Sequence, residues 1–461
     1  MSDDVISAAT ARALQYRLAT AQRDGRVPSV AASVARRGQP VWFGGAGTVD
    51  SGAAPTESVQ YRIGSITKTM VAVLVLRLVG RGEVALGDPI GDHLPDVPAG
   101  DSTLYQLLTH TAGLASETPP PWWERTPGTL RPQLRDVLPD DPRRHPPGRV
   151  HHYSNPGFGL LGALVAAKAG RPWFDVLADD VLTPLGMTRT TYLPVAPHAQ
   201  GHAVHPWADV VLPEPAHDHG LLAAAGQLWS TPGDLCRFGV FLSGGADDGG
   251  NDVLGPDLLE AMRTPAVAPN DPLWSGSYGL GVQHVRFGDR VYLGHTGSMP
   301  GFLAMMLSSP TDGLTVSIQS NAWSALAARA LTGDLFDIVR DREPTMPTAW
   351  VPTTAVDVDR SAFDLVGPWY WGAVPMSISL RAADRLELAG LAGPGRSARF
   401  RPVGADRWIG LDGYYHGEFL EVRRDDQGAV THLDLGSFVF TRSPYAPADV
   451  VPDGLDLGGW L

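Results

Sequence analysis

A hydroxyl and an amine stand three residues apart in Ser65-Ile66-Thr67-Lys68, at the start of a strongly apolar stretch. On a helix this spacing places both on one face of the first turn. A serine becomes a nucleophile only when a base takes its proton, and a lysine can be that base if burial lowers its pKa. The helix N-terminus adds backbone N–H groups aimed at the same spot, one of which can help hold an oxyanion. Spacing alone fits equally well a serine N-cap followed by a solvated lysine. Composition favours the chemical reading: of 36 basic residues, only Lys68 and Lys168 are lysines. Where a surface needs only positive charge this chain uses arginine, which cannot give up its proton. Lys168 closes an amphipathic run before Gly170, where a helix C-terminus favours a cation. Lys68 has no such reason to be there.

Two more segments supply complementary groups. Tyr153-Ser154-Asn155, ahead of an apolar helix, offers a phenol and an amide; Gly294-His295-Thr296-Gly297-Ser298, placed at a strand start, offers a polar edge with glycines that permit close backbone approach. In this order, Ser-x-x-Lys, Tyr-x-Asn and a Lys/His-Thr-Gly strand resemble the motifs of class C β-lactamases, their esterase and D-aminopeptidase relatives, and related penicillin-binding proteins. The flanking text, Leu107 to Leu114, Pro184-Leu185-Gly186-Met187 and Gly297 to Phe302, is similar to that family too, so the likeness spans about residues 10 to 340. The resemblance implies that Ser65 attacks a carbonyl while Lys68 and Tyr153 shuttle its proton to the leaving group. It implies that Asn155 orients Lys68 and the substrate, with Thr296 and Gly297 beside them. The backbone N–H groups of Ser65 and Ser298 would form the oxyanion hole. His295 stands where class C β-lactamases carry a lysine, and a neutral imidazole anchors a substrate carboxylate less firmly than a fixed cation.

Other chemistries find less support. No Gly-x-Ser-x-Gly occurs, so a nucleophile elbow is absent. His198, His202, His205, His217 and His219 gather, but prolines and glycines interrupt them and no cysteine joins, so neither metal nor other cofactor is expected. Trp122, Trp123, Trp207 and Trp229 flank the motifs, and as a substrate-binding residue Trp229 is the one expected to wall the acyl pocket, ordinary core packing being the other reading.

These groups need a scaffold. A helix from about Ile6 to Arg23 precedes strands at Ser29–Val34 and Val41–Phe43, with Gly44 to Gly47 read as a flexible strand exit. Ser65 to Val79 is apolar nearly all round and should be buried, which would put Lys68 in a low dielectric. Helices are expected at Thr103–Thr109, Leu160–Ala169, Thr231–Leu242 and Ala325–Val339, and β-like runs at Tyr278–His284, Phe302–Ser308 and Leu314–Ser320. Strands at both ends of a helical middle suggest an α/β (α+β) β-lactamase/transpeptidase-like domain over residues 1–343. It would be an antiparallel sheet flanked by helices plus a helical subdomain. After a proline-rich linker, 344–360, residues 361–461 alternate with period two between turn signals, a meander of roughly eight short strands. Starting at Gly367-Pro368-Trp369, it resembles the lipocalin-like barrels appended to many members of this superfamily, where it would pack against the catalytic domain or restrict the acyl donor.

Net charge is −13, which argues against nucleic acid or an anionic membrane as partner. Cys236 is the single cysteine, no apolar run is long enough to span a bilayer, and Met1-Ser2-Asp3-Asp4 lacks a signal-peptide pattern, so a cytoplasmic address is expected. The expected partner is a small-molecule or peptide acyl substrate, including one held as a carrier-bound thioester. The leading reading is a hydrolase of esters, amides or D-amino-acid peptides. A second is the penicillin-binding-protein-type thioesterases, which release and cyclise nonribosomal peptides. A third, from another class, is a non-catalytic protein using the barrel as a ligand pocket; the intact motif set argues against it.

Overall fold

Ser7 opens the first helix by accepting a hydrogen bond from the Thr10 amide. In the computed structural model, which describes residues 5–49, 52–245, 249–268, 276–323, 325–347, 349–352, 360–381, 385–391, 395–446 and 451–452, this is α1 (Ala8–Asp24). Its Thr10, Leu14, Leu18 and Ala21 recur at helical spacing and are buried. The strands follow: β1 (Ser29–Arg36), β2 (Gln39–Gly47), β3 (Tyr61–Arg62), β4 (His202–Val204), β5 (Val211–Pro213), β6 (Trp229–Ser230), β7 (Gly276–Tyr278), β8 (Gln283–Phe287), β9 (Arg290–Met299), β10 (Phe302–Ser309) and β11 (Leu314–Ser320). Seven of them form an antiparallel sheet in the order β2-β1-β11-β10-β9-β8-β7. β1 pairs with β11 from Val30 opposite Ser320 to Arg36 opposite Leu314, so both ends of this part of the chain build one sheet around a helical insert.

One face of the sheet meets α1 and the helix Ala328–Arg342, whose Leu331, Leu335, Phe336 and Val339 share a core with Leu14, Leu18, Val30 and Val316. A larger core lies among α2 (Ile66–Gly80), α3 (Leu104–Leu108), α4 (Asn155–Ala169) and the helix Pro232–Leu242. Burying each large apolar side chain of α2 gains about 1.5–3 kcal/mol. Met70, Val71, Val73, Leu74, Val75 and Leu76 are all at most 2% exposed, enough in sum to carry one lysine inside with them.

Several boundaries differ from the sequence reading, each for a local reason. Gly44 to Gly47 is not an exit but the second half of β2, paired from Ala32 opposite Gly44 to Ser29 opposite Gly47. A Cβ on Gly45 would lie 2.6 Å from the Pro55 carbonyl oxygen, so glycine serves close packing here. Tyr278–His284 is two strands, split by a turn with Gly281 at φ +78°. Gly294 to Ser298 lies in the latter half of β9, since the strand begins at Arg290. α4 starts five residues early, at Asn155, because Ser154 caps it by accepting from the Gly157 amide.

The chain divides into two compact units, Met1–Met346 and Pro347–Leu461; of the stretch 344–360, residues 348 and 353–359 lie outside the described residues. In the second unit, β12 (Gly367–Trp371), β13 (Val374–Arg381), β14 (Arg385–Gly390), β15 (Ala398–Gly404), β16 (Arg407–Gly410), β17 (Phe419–Arg424), β18 (Val430–Leu435) and β19 (Phe438–Phe440) pair in chain order. Reciprocal hydrogen bonds between Tyr370 and Thr441 bring the last strand back to the first, giving a nearly closed antiparallel barrel. Trp369, Phe400, Trp408, Leu420 and Leu433 fill its interior. Among the described residues no helix is long and apolar enough to cross a membrane.

Candidate active site

β3 leads the chain to Gly64 and then to Ser65, which stands at the head of α2 with φ −64° and makes no side-chain capping bond. The hydroxyl is therefore not spent on the helix. One turn later Lys68 is 0% exposed, and its Nζ donates to Ser65 Oγ at 3.0 Å, Asn155 Oδ1 at 2.7 Å and the Ala225 carbonyl oxygen at 2.6 Å. Burial lowers its pKa from 10.5 to about 7, against the opposing pull of Glu117 and Glu124. Of the three partners, only the Ser65 hydroxyl can itself donate. A neutral Lys68 can thus keep two N–H bonds to Asn155 and Ala225 and turn its lone pair to the serine proton. Tyr153 lies on the other side, its ring centroid 5.0 Å from Nζ, and the Ser65 hydroxyl acts to lower its pKa. Burial pushes the phenol well above its ordinary pKa, so Tyr153 stays protonated at neutral pH and Lys68 is the group poised to exchange a proton.

Asn155 is held at both ends. Its Oδ1 accepts from Lys68, while its Nδ2 donates to Glu117 Oε1 at 2.8 Å; Glu117 Oε2 accepts from Trp123 Nε1 at 2.7 Å. Glu117 thereby fixes which way the amide faces. It was not singled out from the sequence, where nothing distinguishes it; the usable signal would have been the unanswered second end of the Asn155 amide. Glu117→Ala is expected to lose that bond, worth about 1–2 kcal/mol and so roughly ten-fold in kcat/KM. It should also move the acid limb of the pH–rate profile to lower pH, because a carboxylate that raises the Lys68 pKa is gone. Glu117→Gln should show the pH shift with a smaller rate loss, as its Oε1 can still accept from Asn155. An unmoved acid limb in both variants would separate Glu117 from Lys68.

Glycines let β9 reach this group. A Cβ on Gly297 would sit 1.9 Å from the Ile63 carbonyl oxygen and 3.1 Å from the Ser65 nitrogen, and one on Gly64 (φ +52°) 2.6 Å from the Ser298 nitrogen. The backbone of β9 at Gly297 and Ser298 thus runs tightly against the chain at Gly64 and Ser65, at the head of α2. Gly297→Ala must push β9 off the helix. The expected loss is about 100-fold in acylation rate, the cost of one oxyanion donor, with a lowered Tm; acylation kinetics and a melting curve measure both.

The period of β9 sorts the rest. Thr296 and Ser298 face the exposed side, and Thr296 Oγ1 donates to Gln283 Oε1 at 3.3 Å. His295 turns inward: it is 1% exposed, its Nε2 and the Tyr278 hydroxyl are 3.1 Å apart, and its ring lies 6.3 Å from that of Tyr153. Burial drops its pKa to about 3, so the imidazole is neutral and offers no cation to a substrate carboxylate. His110, with φ +58° and its ring 4.1 Å from that of Tyr153, completes an aromatic wall behind the phenol with Tyr278 and Phe158. Trp229 packs as a core residue. It is 2% exposed, paired through β6 to Arg62, and packed on Phe302 at 5.1 Å, because the two-residue strand turns it into the core. Trp123 is likewise buried, Trp122 is 46% exposed, and Trp207 is 91% exposed between β4 and β5. Among the described residues, no three His, Cys, Asp or Glu side chains converge as metal ligands would.

A buried lysine beside a serine at the head of a helix, a phenol across from it and a glycine-lined strand next to them make up one candidate site. The comparisons with known proteins agree on its class. Residues 10–336 match the family described as Beta-lactamase, and the chain belongs to that family, the β-lactamase and penicillin-binding-protein-like serine hydrolases. Residues 358–442 match a domain of unknown function, DUF7586. Penicillin-binding protein 4 of Amycolatopsis lactamdurans is 27% identical over 352 residues, 71% of this chain and 86% of that protein. Esterase EstB of Burkholderia gladioli is 30% identical over 285 residues, 54% of this chain and 69% of that one. A D-stereospecific amidohydrolase from Streptomyces sp. superposes with a TM-score of 0.59 at 26% identity, covering 71% of this chain and 98% of its own.

Proposed function

We propose that this protein hydrolyses an amide or ester through an acyl-enzyme on Ser65, and that its donor carries a free amino group next to the scissile carbonyl, as a D-amino-acid amide does. The observation that carries the reaction is the 3.0 Å contact between a wholly buried Lys68 and the Ser65 hydroxyl. Lys68 takes the hydroxyl proton as Oγ bonds to the carbonyl carbon. The oxyanion forms beside the Ser65 and Ser298 amides, and Tyr153 passes its proton to the leaving nitrogen or oxygen while the proton taken by Lys68 returns to the phenol, restoring both groups. Water then enters by the same groups in reverse.

Charge supports the choice of donor. Glu117 and Glu124 both act electrostatically on Lys68, whereas His295, at the position of the family's lysine, is neutral and enclosed. Such a site favours an amine over a carboxylate. The names of the Streptomyces amidohydrolase and the Burkholderia esterase are in keeping with amide and ester donors. An amine in place of water as acceptor, as in a peptide-cyclising thioesterase, would use the same acyl-enzyme.

The test compares kcat/KM for D- and L-amino-acid p-nitroanilides with their N-acetylated forms, alongside p-nitrophenyl acetate. A free D-amino donor should win by at least about ten-fold, the worth of one charge-assisted contact. N-acetylated donors that react equally well would sink the amine assignment. The profile should rise with pH through an apparent pKa near 7, since Lys68 acts when neutral and its pKa is lowered to about 7. A flat profile from pH 5 to 8 would remove Lys68 as the base.

A further inference from the structure

The barrel interior is packed with side chains, so any ligand of the second unit must bind at its surface or mouth. There, three aromatic rings converge on one cation. The Arg396 guanidinium carbon lies 4.0 Å from the ring centroid of Tyr414, 5.0 Å from that of Phe438 and 5.3 Å from that of Trp371. The rings also brace each other: Trp371 and Phe438 meet edge to face at 4.9 Å, and Tyr414 stands perpendicular to buried Tyr415 at 5.2 Å.

Four observations separate this cluster from ordinary surface packing. Elsewhere on the barrel Arg407 and Arg442 each cover a single ring. Arg381, Arg399, Arg423 and Arg424 meet carboxylates at 2.5 to 2.9 Å, whereas Arg396 has no carboxylate partner among the described residues. Tyr414 is 62% exposed, so its ring is held at the surface instead of serving the core. Finally, Trp371 also borders a cavity of about 320 Å³ shared with Gly372, Ala373, Val374 and Tyr445.

We propose that Trp371, Tyr414 and Phe438 form a binding site for an organic cation, a guanidinium or alkylated ammonium group, with Arg396 as the internal occupant that a ligand displaces. Ring faces carry negative potential, and a weakly hydrated, delocalised cation gains most from several of them at once. Arg396 lies on the connection between β14 and β15 and is exposed; beyond the rings it interacts with the Tyr415 hydroxyl, and on swinging into solvent its charge exchanges that contact for water.

The experiment is saturation-transfer NMR on the full chain with choline and methylguanidinium as probes, and with 3,3-dimethylbutan-1-ol as the neutral isostere of choline. Arg396→Ala should bind at least one cation about ten-fold or more tighter than the unmodified chain, which must first expel its own guanidinium. The neutral isostere should bind at least ten-fold more weakly than choline. Adding Tyr414→Leu, or Trp371→Leu, to Arg396→Ala should abolish the gain; Tyr414 is the safer site because it is largely exposed. No binding to Arg396→Ala, equal binding of the neutral isostere, or a gain that survives both ring substitutions would each overturn the proposal. So would loss of the barrel's melting transition in Arg396→Ala, which would make the guanidinium a structural plug.

Discussion

Ser65→Ala is expected to take up no fluorophosphonate at all and to turn over p-nitrophenyl acetate about 10⁴-fold or more slowly, the usual scale for removing a covalent nucleophile. The fold should survive. The Ser65 hydroxyl does not cap α2, and the helix is held by apolar side chains that the substitution leaves untouched. What remains after the substitution is the oxyanion hole and the bound geometry, which account for slow background hydrolysis without an adduct. Mass spectrometry of the intact protein decides the matter. A mutant that still accumulates the adduct at the same rate would move the nucleophile elsewhere.

The second large effect separates charge from proton transfer. Lys68→Arg should lose about 10³-fold or more, within the range ascribed to general-base catalysis and close to the loss in Lys68→Ala. Arginine can still donate to Asn155 and Ala225, as Lys68 does, but it has no lone pair at any accessible pH. Its larger planar head must also fit a site that is 0% exposed, so the melting temperature is measured beside the rate. The two readouts part company usefully. A variant that melts near wild type and stays inactive isolates the missing base. Substantial activity in the Arg variant would instead mean that Lys68 contributes only its field, and the rise in rate near pH 7 would then need another owner.

The reactive core of the site was legible in one dimension because its members are local or tied to strong signals. Ser65 and Lys68 share a helical turn, and an apolar run with one lysine in it announces a buried amine. Tyr153 and Asn155 flank a serine cap. The glycines of Gly294 to Ser298 signal close approach, and 64 and 297 prove to be where a Cβ has no room. The barrel, too, was written in its period of two. Two things escaped because they depend on what lies across space. The amide of Asn155 needs a second partner, and only the folded loop places Glu117 there, 38 residues away. A strand gives its side chains two faces, and only the packed sheet decides which one is solvent. So His295 is buried against Tyr278, near the Tyr153 ring, and Trp229 packs in the core beside Phe302. The sequence determined which groups the candidate site contains and the order in which the chain presents them. Tertiary structure decided which of them are dry, which way each faces and therefore at what pH each one titrates, because desolvation and orientation belong to neighbours that sequence distance does not reveal.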